Sequence, residues 1–231
     1  MQCDTVNSFD EYLTEISKLT NHPNILGLFR GQFQKNALLP SIARKNPKNN
    51  TVNIEKFLLN ELQRRTASQS SSHLKDNWDW LVFAQHFGLK TRLLDWTNNP
   101  LTALWFACNN NIDSDAYVYL FLANRRFLLD KKTDPCPFAI KSTKIFRPPQ
   151  NNERIIAQAG WFTAHTFSTR TNSFVPLEQN KIYKDIVIEL TIPKALKPTI
   201  IKKCHLFGIN NQSMFPDVEG ICRQINWENN F

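Results

Sequence analysis

The sequence predicts an α+β fold, because segments with helical periodicity and segments typical of buried strands both recur along the chain. Residues 84–108, AQHFGLKTRLLDWTNNPLTALWFAC, contain the clearest helix. Residues 25–29 and 116–122 are short apolar runs of the length expected for buried strands. Of the 231 residues, 42% are hydrophobic and 12% aromatic, so the chain can bury a substantial core, and we expect residues 1–231 to form one domain.

The central helix is predicted both by its first residue and by its apolar spacing. Pro100 suits a first helical position, where a backbone N–H has no intrahelical partner, and Asn98 or Asn99 can cap the helix. The small Ala103 and Ala107 allow a neighbouring element to pack closely. Apolar residues at i, i+3, i+4 and i+7 predict one buried stripe, formed by Leu101, Leu104, Trp105 and Cys108.

The remaining elements are predicted from the same periodicities and from the Gly, Pro and Asn residues at their ends. Further helices are expected over residues 8–20, 54–65, 76–87, 152–159 and 194–205. Further strands are expected over residues 139–146, 161–163 and 183–192, with a turn at Gly160. A loop rich in Ser and Gln is expected over residues 68–72.

The charge of the chain favours an anionic partner. Its net charge is +8 and its isoelectric point about 9.3, which suits a nucleic acid or a phosphate-bearing small molecule. The densest basic clusters are Arg125–Arg126 with Lys131–Lys132, and Lys197 with Lys202–Lys203. Because Lys and Arg are spread widely along the chain, a solvated basic face is the alternative interpretation.

The five cysteines form no CxxC pair and no zinc-binding spacing with histidine, so no metal is expected. Their odd number without a pattern is typical of a reducing compartment. The first residues, MQCDTVNSFDEY, have neither the basic nor the apolar region of a signal peptide, and no apolar run is long enough for a membrane span. We therefore expect a cytoplasmic protein without a membrane partner.

A predicted strand ends in Arg30, Gly31 and Gln32, a combination that suggests a ligand site. Gly31 allows the backbone to approach a ligand closely, and the Arg30 guanidinium can bind a phosphate or carboxylate with two hydrogen bonds. The alternative is an arginine that forms a salt bridge at the protein surface.

Residues 84–108 also contain charged side chains in an otherwise apolar segment. One interpretation pairs Arg92 with Asp95 in a structural clamp ahead of the helix. The other interpretation places Gln85, His86 and Arg92 against a ligand. His86 ends a predicted helix, where a lone histidine is more often a capping or packing residue than a catalytic one.

Several segments together resemble the FRG domain family, which is named for a Phe-Arg-Gly sequence. They are Phe29-Arg30-Gly31 with Gln32, Leu39-Pro40-Ser41 with Ala43-Arg44, residues 84–108, and the later stretches 154–162 and 208–220. The resemblance extends from about residue 8 to about residue 225. Such domains occur in bacteria and in phage-related contexts, so the resemblance implies a role in defence or conflict, such as that of a toxin.

The order of these motifs also resembles, more distantly, the ADP-ribosyltransferase layout. That resemblance implies a split, mostly antiparallel sheet with surrounding helices. It also implies an early arginine on the cofactor phosphates, a middle strand against the nicotinamide, and a late glutamate that stabilises the ribosyl cation. Arg30 matches the first position, and Glu219, two residues after Asp217, matches the last. Either residues 160–163 or residues 167–169 match the middle strand.

The resemblance implies that NAD is the substrate and that ADP-ribose passes to water or to a macromolecular acceptor, either protein or nucleic acid. The catalytic residues would be Arg30 and Glu219. The cofactor-binding residues would be Arg30, Gly31, Gln32, Gln158, Gly160 and Phe162. The substrate-side or supporting residues would be Gln85, His86, Arg92, Asp95 and Asp217. The alternative is a non-catalytic module that binds a nucleotide or nucleic acid, with Asp217 as a turn residue or helix cap. The oligomeric state stays open.

Overall fold

The computed structural model describes residues 1–68, 74–110 and 113–230, which form eight α-helices and nine strands. The helices are α1 (Phe9–Thr20), α2 (Val52–Arg65), α3 (Asn77–His86), α4 (Pro100–Cys108), α5 (Glu153–Ala157), α6 (Lys197–Leu206), α7 (Asn211–Met214) and α8 (Val218–Glu228). The strands are β1 (Gln2–Thr5), β2 (Ile25–Gln32), β3 (Leu93–Thr97), β4 (Ala116–Asn124), β5 (Lys144–Phe146), β6 (Gly160–Ala164), β7 (Phe167–Ser168), β8 (Ser173–Phe174) and β9 (Val187–Ile192). The expected loop over residues 68–72 lies outside the described residues, except for Ser68.

Seven strands form one sheet in the order β1-β9-β4-β2-β3-β6-β5, and β7 pairs with β8 separately. β1 runs parallel to β9, whereas the other neighbouring strands of the large sheet are antiparallel. The predicted α+β class with a mostly antiparallel sheet is therefore confirmed. The finer likeness to ADP-ribosyltransferases stays a prediction.

The sheet has a seam between β2 and β3. β2 pairs with β4 along its whole length, from Ile25 opposite Asn124 to Gln32 opposite Tyr117. Along their described residues, β2 and β3 share a single registered pair, Phe29 opposite Thr97. The expected split is not seen in the large sheet, because β2 and β3 stay joined at this pair within one seven-stranded sheet.

Helices cover one face of the sheet and loops cover the other, as the alternation of side chains along each strand requires. On the helical face, α1, α4 and α6 pack against β2, β4 and β9, with contacts to Phe29, Val118 and Leu190. On the same face, α2, α3 and α5 pack against β3 and β6, with contacts to Leu93 and Phe162. On the opposite face the side chains of the strands pack under loop residues, including Leu38, Leu177 and Tyr183.

Helix α4 is capped by a side chain at its N-terminus and is buried along most of its length. The Asn99 side chain accepts hydrogen bonds from the backbone N–H groups of Leu101 and Thr102, at 2.9 and 3.4 Å, so Asn99 is the cap. The buried side chains extend beyond the predicted apolar stripe and include Thr102, Ala103 and Ala107. The stripe prediction was therefore too narrow, because α4 packs against both the sheet and α6.

Gly31 allows this close packing. A Cβ atom at Gly31 would overlap the backbone oxygen of Ala103 and would lie 2.6 Å from the backbone nitrogen of Ala107. The absence of a side chain at this position is thus explained by the approach of α4, as the small residues of the helix suggested. Gly31 also borders the cleft described below.

Arg92 and Glu55 form a bidentate ion pair in the interior. Both side chains are fully buried, and both hydrogen bonds between them measure 2.9 Å. The guanidinium also donates to the backbone oxygen of Pro137 at 2.9 Å, and Thr51 donates to Glu55 at 2.6 Å. The predicted clamp between Arg92 and Asp95 was wrong in its partner, because Arg92 pairs with Glu55 of α2, whereas the Asp95 carboxylate accepts from Gln85.

The main differences from the predicted elements lie in three segments. Residues 2–5 and 93–97 were not predicted as strands, and residues 218–228 were not predicted as a helix. The expected turn at Gly160 falls on Ala159, whose φ is 46°, whereas Gly160 begins β6. The expected helix over 194–205 begins at Lys197, with Pro198 in its first turn.

We predict that Glu55→Ala destabilises the protein by about 3–5 kcal/mol, because it leaves the Arg92 guanidinium buried without its partner. Urea unfolding measures this change. The control is Glu61→Ala on the same helix, where a solvated carboxylate pairs with Arg64 and Arg65 and its loss should destabilise the protein much less. Equal losses for the two variants would contradict the structural role of the buried pair.

Gly31→Ala is expected to destabilise the protein by about 1–3 kcal/mol, since α4 must move to admit the methyl group. Gly27→Ala on the same strand is the matched control, because its Cβ would meet the movable side chain of Thr20 at 3.0 Å. Thermal unfolding of both variants measures the difference. If Gly31→Ala lowers the unfolding temperature no more than Gly27→Ala does, the packing described here is contradicted.

Candidate functional site

A cleft of about 290 Å³ opens at the seam between β2 and β3, beside the first turns of α4. It exists because the two strands separate beyond the pair of Phe29 and Thr97. Its walls come from β2, β3, α4 and the residue after α5. The lining residues are Phe29, Arg30, Gly31, Phe33, Asp95, Trp96, Thr97, Thr102, Ala103, Phe106 and Gln158.

The Arg30 side chain bridges the seam. Its Nη1 donates to the backbone oxygen of Asp95 at 2.8 Å and lies 3.6 Å from the carboxylate of the same residue. The side chain is 15% exposed, and burial lowers the pKa of Arg30 from its usual value. The Nε atom is buried and has no hydrogen-bond partner among the described residues. Arg30 thus joins two strands while one of its donors stays unused.

The opposite wall of the cleft carries a second unused polar group. Thr102 is fully buried in the first turn of α4, and its hydroxyl has no hydrogen-bond partner within the described part of the chain. Gln158 contributes an amide that is already oriented, because its Nε2 donates to the backbone oxygen of Met214 at 3.0 Å. Buried polar groups in native proteins are nearly always paired, so an unpaired hydroxyl beside a cavity indicates a missing partner.

Asp95 is the carboxylate of this cleft, and its side chain is 55% exposed. Gln85 donates from Nε2 to both carboxylate oxygens, at 3.0 and 3.2 Å. The Gln85 oxygen in turn accepts a hydrogen bond from the Thr91 hydroxyl at 2.7 Å. Gln85 therefore supports the site by orienting Asp95, and it lies behind the lining residues.

Aromatic rings provide most of the apolar surface of the cleft. Phe33 is 41% exposed at the rim, and Phe106 and Trp96 form the walls. Phe106 packs edge-on against Phe215, with ring centroids 6.0 Å apart. A pocket with apolar walls and a few polar groups of fixed orientation is typical of small-molecule sites.

A buried chain of hydrogen bonds fixes Trp96. Its indole N–H donates to the Thr163 hydroxyl at 2.9 Å, and that hydroxyl lies 2.9 Å from Nε2 of His165. The Thr163 hydroxyl can accept from the indole and still either donate to Nε2 of His165 or accept from it, depending on the tautomer of the ring. Burial, together with the charges of Arg30 and Arg92, lowers the pKa of His165 to about 3.

His86 and Asp217 lie in a second groove, next to the first. Asn152 donates to Nε2 of His86 across 3.1 Å, and burial followed by the charge of Arg154 lowers the pKa of His86. Asp217 caps α8 through the backbone N–H of Gly220 and pairs with Arg154 at 2.6 Å. The capping role weighed for Asp217 is therefore what the structure has.

The structure does not bring Glu219 into the cleft of Arg30. Glu219 is 65% exposed on α8, where it pairs with Arg223 at 2.5 Å. Arg223 stacks on Phe215, and Phe215 packs behind the cleft wall formed by Phe106. Glu219 is not among the residues that line the cleft, and the expected pairing of Arg30 with Glu219 around one ligand stays a prediction.

The other expected site residues have packing roles. Phe162 is buried against α2 and α3, and Gly160 pairs with Thr97 in the sheet. Gln32 accepts the backbone N–H of Asn36 at 3.2 Å. These three residues and the buried Arg92 are not among the residues that line the cleft, and any ligand role for them stays a prediction.

Of the expected site residues, the cleft brings together Arg30, Gly31, Asp95 and Gln158, and it adds Phe33, Thr102 and Phe106. The sequence carried one usable signal for the missed residues, namely a threonine hydroxyl within the apolar helix, three positions after its cap.

In the described ranges 1–68, 74–110 and 113–230, no cluster of three metal-ligating side chains occurs. No helix within those ranges has the length and apolar character needed to cross a membrane.

Comparison with known proteins identifies part of the chain. The model of the FRG domain family matches residues 26–116, so the chain contains an FRG domain. The match includes β2, β3, α4 and every lining residue of the cleft except Gln158. The C-terminal stretches that resemble the same family lie outside it. No curated protein and no solved structure matches the chain.

We predict that His165 stays neutral on mild acidification, whereas an ordinary histidine takes up a proton near pH 6.5. NMR of the imidazole nitrogens should show a neutral ring from about pH 7 to about pH 5, with the signal assigned by its absence in His165→Gln. In the urea-unfolded protein the same ring should titrate normally. Unfolding therefore takes up one proton below about pH 6.5, and stability falls as pH decreases. A charged His165 in the folded protein at about pH 5 would show that the hydrogen-bond chain is misassigned.

Proposed function

We propose that the FRG domain of this chain binds a nucleotide in the cleft at the seam between β2 and β3, with NAD the first ligand to test. The observation that supports this is that Arg30 and Thr102 both line one cavity with aromatic walls, and that each has a buried polar atom, Nε and the hydroxyl, without a partner among the described residues. Leaving such groups unpaired costs about 1–3 kcal/mol each, and a ligand that pairs with them recovers that energy.

The polar groups of the cleft match the parts of a nucleotide. The Arg30 guanidinium offers its free N–H to a phosphate oxygen. The Asp95 carboxylate is suited to accept hydrogen bonds from ribose hydroxyls, and Gln85 holds it in place. The rings of Phe33 and Phe106 flank the space for a planar base, and the Gln158 oxygen can accept from an amide or amine of that base.

The size of the cleft limits what it encloses. A volume of about 290 Å³ is at the lower end of the range of about 300–1,000 Å³ for small-molecule pockets. The cleft therefore encloses one base and ribose, and the second half of a dinucleotide such as NAD would extend past the exposed Phe33.

A second candidate function is cleavage of NAD. Asp95 lines the cleft and Glu219 does not, so Asp95 is the carboxylate better placed for this reaction. The bond between the ribose and the nicotinamide nitrogen breaks, and its electron pair neutralises the ring. Water or a macromolecular acceptor adds to the sugar carbon and loses a proton. A carboxylate beside that carbon stabilises the positive charge that develops on the sugar. Such NAD consumption or ADP-ribose transfer is the activity expected of a toxin in a bacterial or phage conflict.

Thr102→Val is expected to separate ligand binding from folding. Valine has nearly the same shape and removes the unpaired hydroxyl, so the free protein should become more stable by about 1–3 kcal/mol. Nucleotide affinity should fall about 2- to 10-fold, because one hydrogen bond to the ligand is lost. Thermal shift and calorimetric titration with NAD, ADP-ribose and AMP measure both quantities.

The matched control is Thr14→Val, whose exposed hydroxyl is bonded within α1, and which should leave affinity unchanged. Unchanged nucleotide affinity in Thr102→Val, or no thermal shift of the wild-type protein with any nucleotide, contradicts the proposed site. Nicotinamide release from NAD tests the second candidate. Release that Asp95→Asn abolishes and Glu219→Gln preserves supports it, and the opposite pattern contradicts it.

A further inference from the structure

Three segments that are distant in sequence meet on the loop-covered face of the sheet and form a basic surface. Residues 125–129 run beside β5, where the backbone N–H of Leu129 donates to the oxygen of Ile145 at 2.7 Å. Tyr183 joins the third segment to the other two, because its ring lies 5.1 Å from Phe127 and its hydroxyl donates to Thr143 at 2.7 Å. These adjoining segments carry six exposed cations, Arg125, Arg126, Lys141, Arg147, Lys181 and Lys184, which we call the basic face.

The cations of the basic face are not neutralised by the protein. None of the six forms an ion pair within the described part of the chain, and Asp185 is the one carboxylate in the segments 125–129, 141–147 and 181–185. Two other basic residues that were expected to cluster form ion pairs elsewhere. Lys131 binds Asp76 and Asp79, and Lys203 binds Asp10. Arg125 and Arg126, from one of the clusters that the sequence suggested, therefore keep their charge uncompensated on the basic face.

Two of the six cations are held in fixed positions. The Arg126 guanidinium lies 4.8 Å above the ring of Phe127, and the Arg147 guanidinium lies 5.4 Å above Trp161. Phe127 and Trp161 are themselves buried in the core beneath this face. Stacking orders each guanidinium plane and leaves its N–H edges free, which is the arrangement that binds phosphates with two hydrogen bonds.

We propose that the basic face binds the phosphate backbone of a nucleic acid, at a site separate from the nucleotide cleft. Cations spread over three segments can be contacted together by a polymer of phosphates, whereas a single small anion reaches few of them. An anionic membrane is the less favoured partner, because Ile182, at 58% exposure, is the one strongly exposed large hydrophobic residue of these segments.

The test is fluorescence anisotropy of the full chain with short labelled single-stranded RNA, single-stranded DNA and duplex DNA, between about 0.05 and 0.2 M salt. The double variant Arg126→Gln/Arg147→Gln should weaken binding about 20-fold at about 0.1 M salt, since two phosphate contacts are lost. It should also reduce the dependence of affinity on salt. Lys90→Gln/Lys202→Gln removes the same charge from exposed positions on the helical side and should change affinity less than about 2-fold.

Three results would overturn the proposal. They are undetectable oligonucleotide binding, equal losses in the two double variants, and binding to phosphatidylglycerol vesicles without binding to oligonucleotides. Lys181→Gln/Lys184→Gln provides a second test on loop residues whose side chains have no core contacts to lose. Thr102→Val should leave oligonucleotide affinity unchanged, so a failure of this site and a failure of the nucleotide cleft are distinguishable.

Discussion

The hydrogen bond from Arg30 to the backbone oxygen of Asp95 is the interaction on which the site depends. Where β2 and β3 separate, a side chain takes the place of the missing backbone pairing and holds the two halves of the sheet together. The same separation opens the cleft. Because Gly31 follows Arg30 and admits α4, the helix that supplies Thr102 and Phe106 packs directly against this joint. A structural tie and a ligand pocket are thus produced by one break in the sheet.

Arg92 and Arg30 show how different environments lead to different roles. Arg92 has a bidentate partner in Glu55 and a third bond to Pro137, so its donors are used by the protein and its role is structural. Arg30 is partly exposed, and its Nε has no partner among the described residues. A cation with one buried, unpaired donor beside a cavity is the stronger indication of a ligand, because the desolvation of that donor has no compensating bond.

Much of the fold was predictable from local sequence, whereas partners across the fold were not. The caps Ser8, Asp76 and Asn99 and the periodic apolar residues behind them located α1, α3 and α4. The motif of Arg30 and Gly31 located one wall of the cleft. The true partner of Arg92 lies 37 positions earlier in the chain, and no local pattern connects the two residues. Glu219 looked catalytic by its position after Asp217, but a capped helix turns it toward solvent.

The most direct test of this account is NMR of the Arg30 Nε–H group during titration with NAD or ADP-ribose, with the signal assigned by its absence in Arg30→Lys. Arginine side-chain resonances report directly on whether the guanidinium gains a hydrogen-bonded anion. The account predicts that the Arg30 Nε–H resonance shifts with ligand concentration, whereas that of the core-paired Arg92 stays in place. A titration in which the ligand binds but the Arg30 resonance does not move would contradict it.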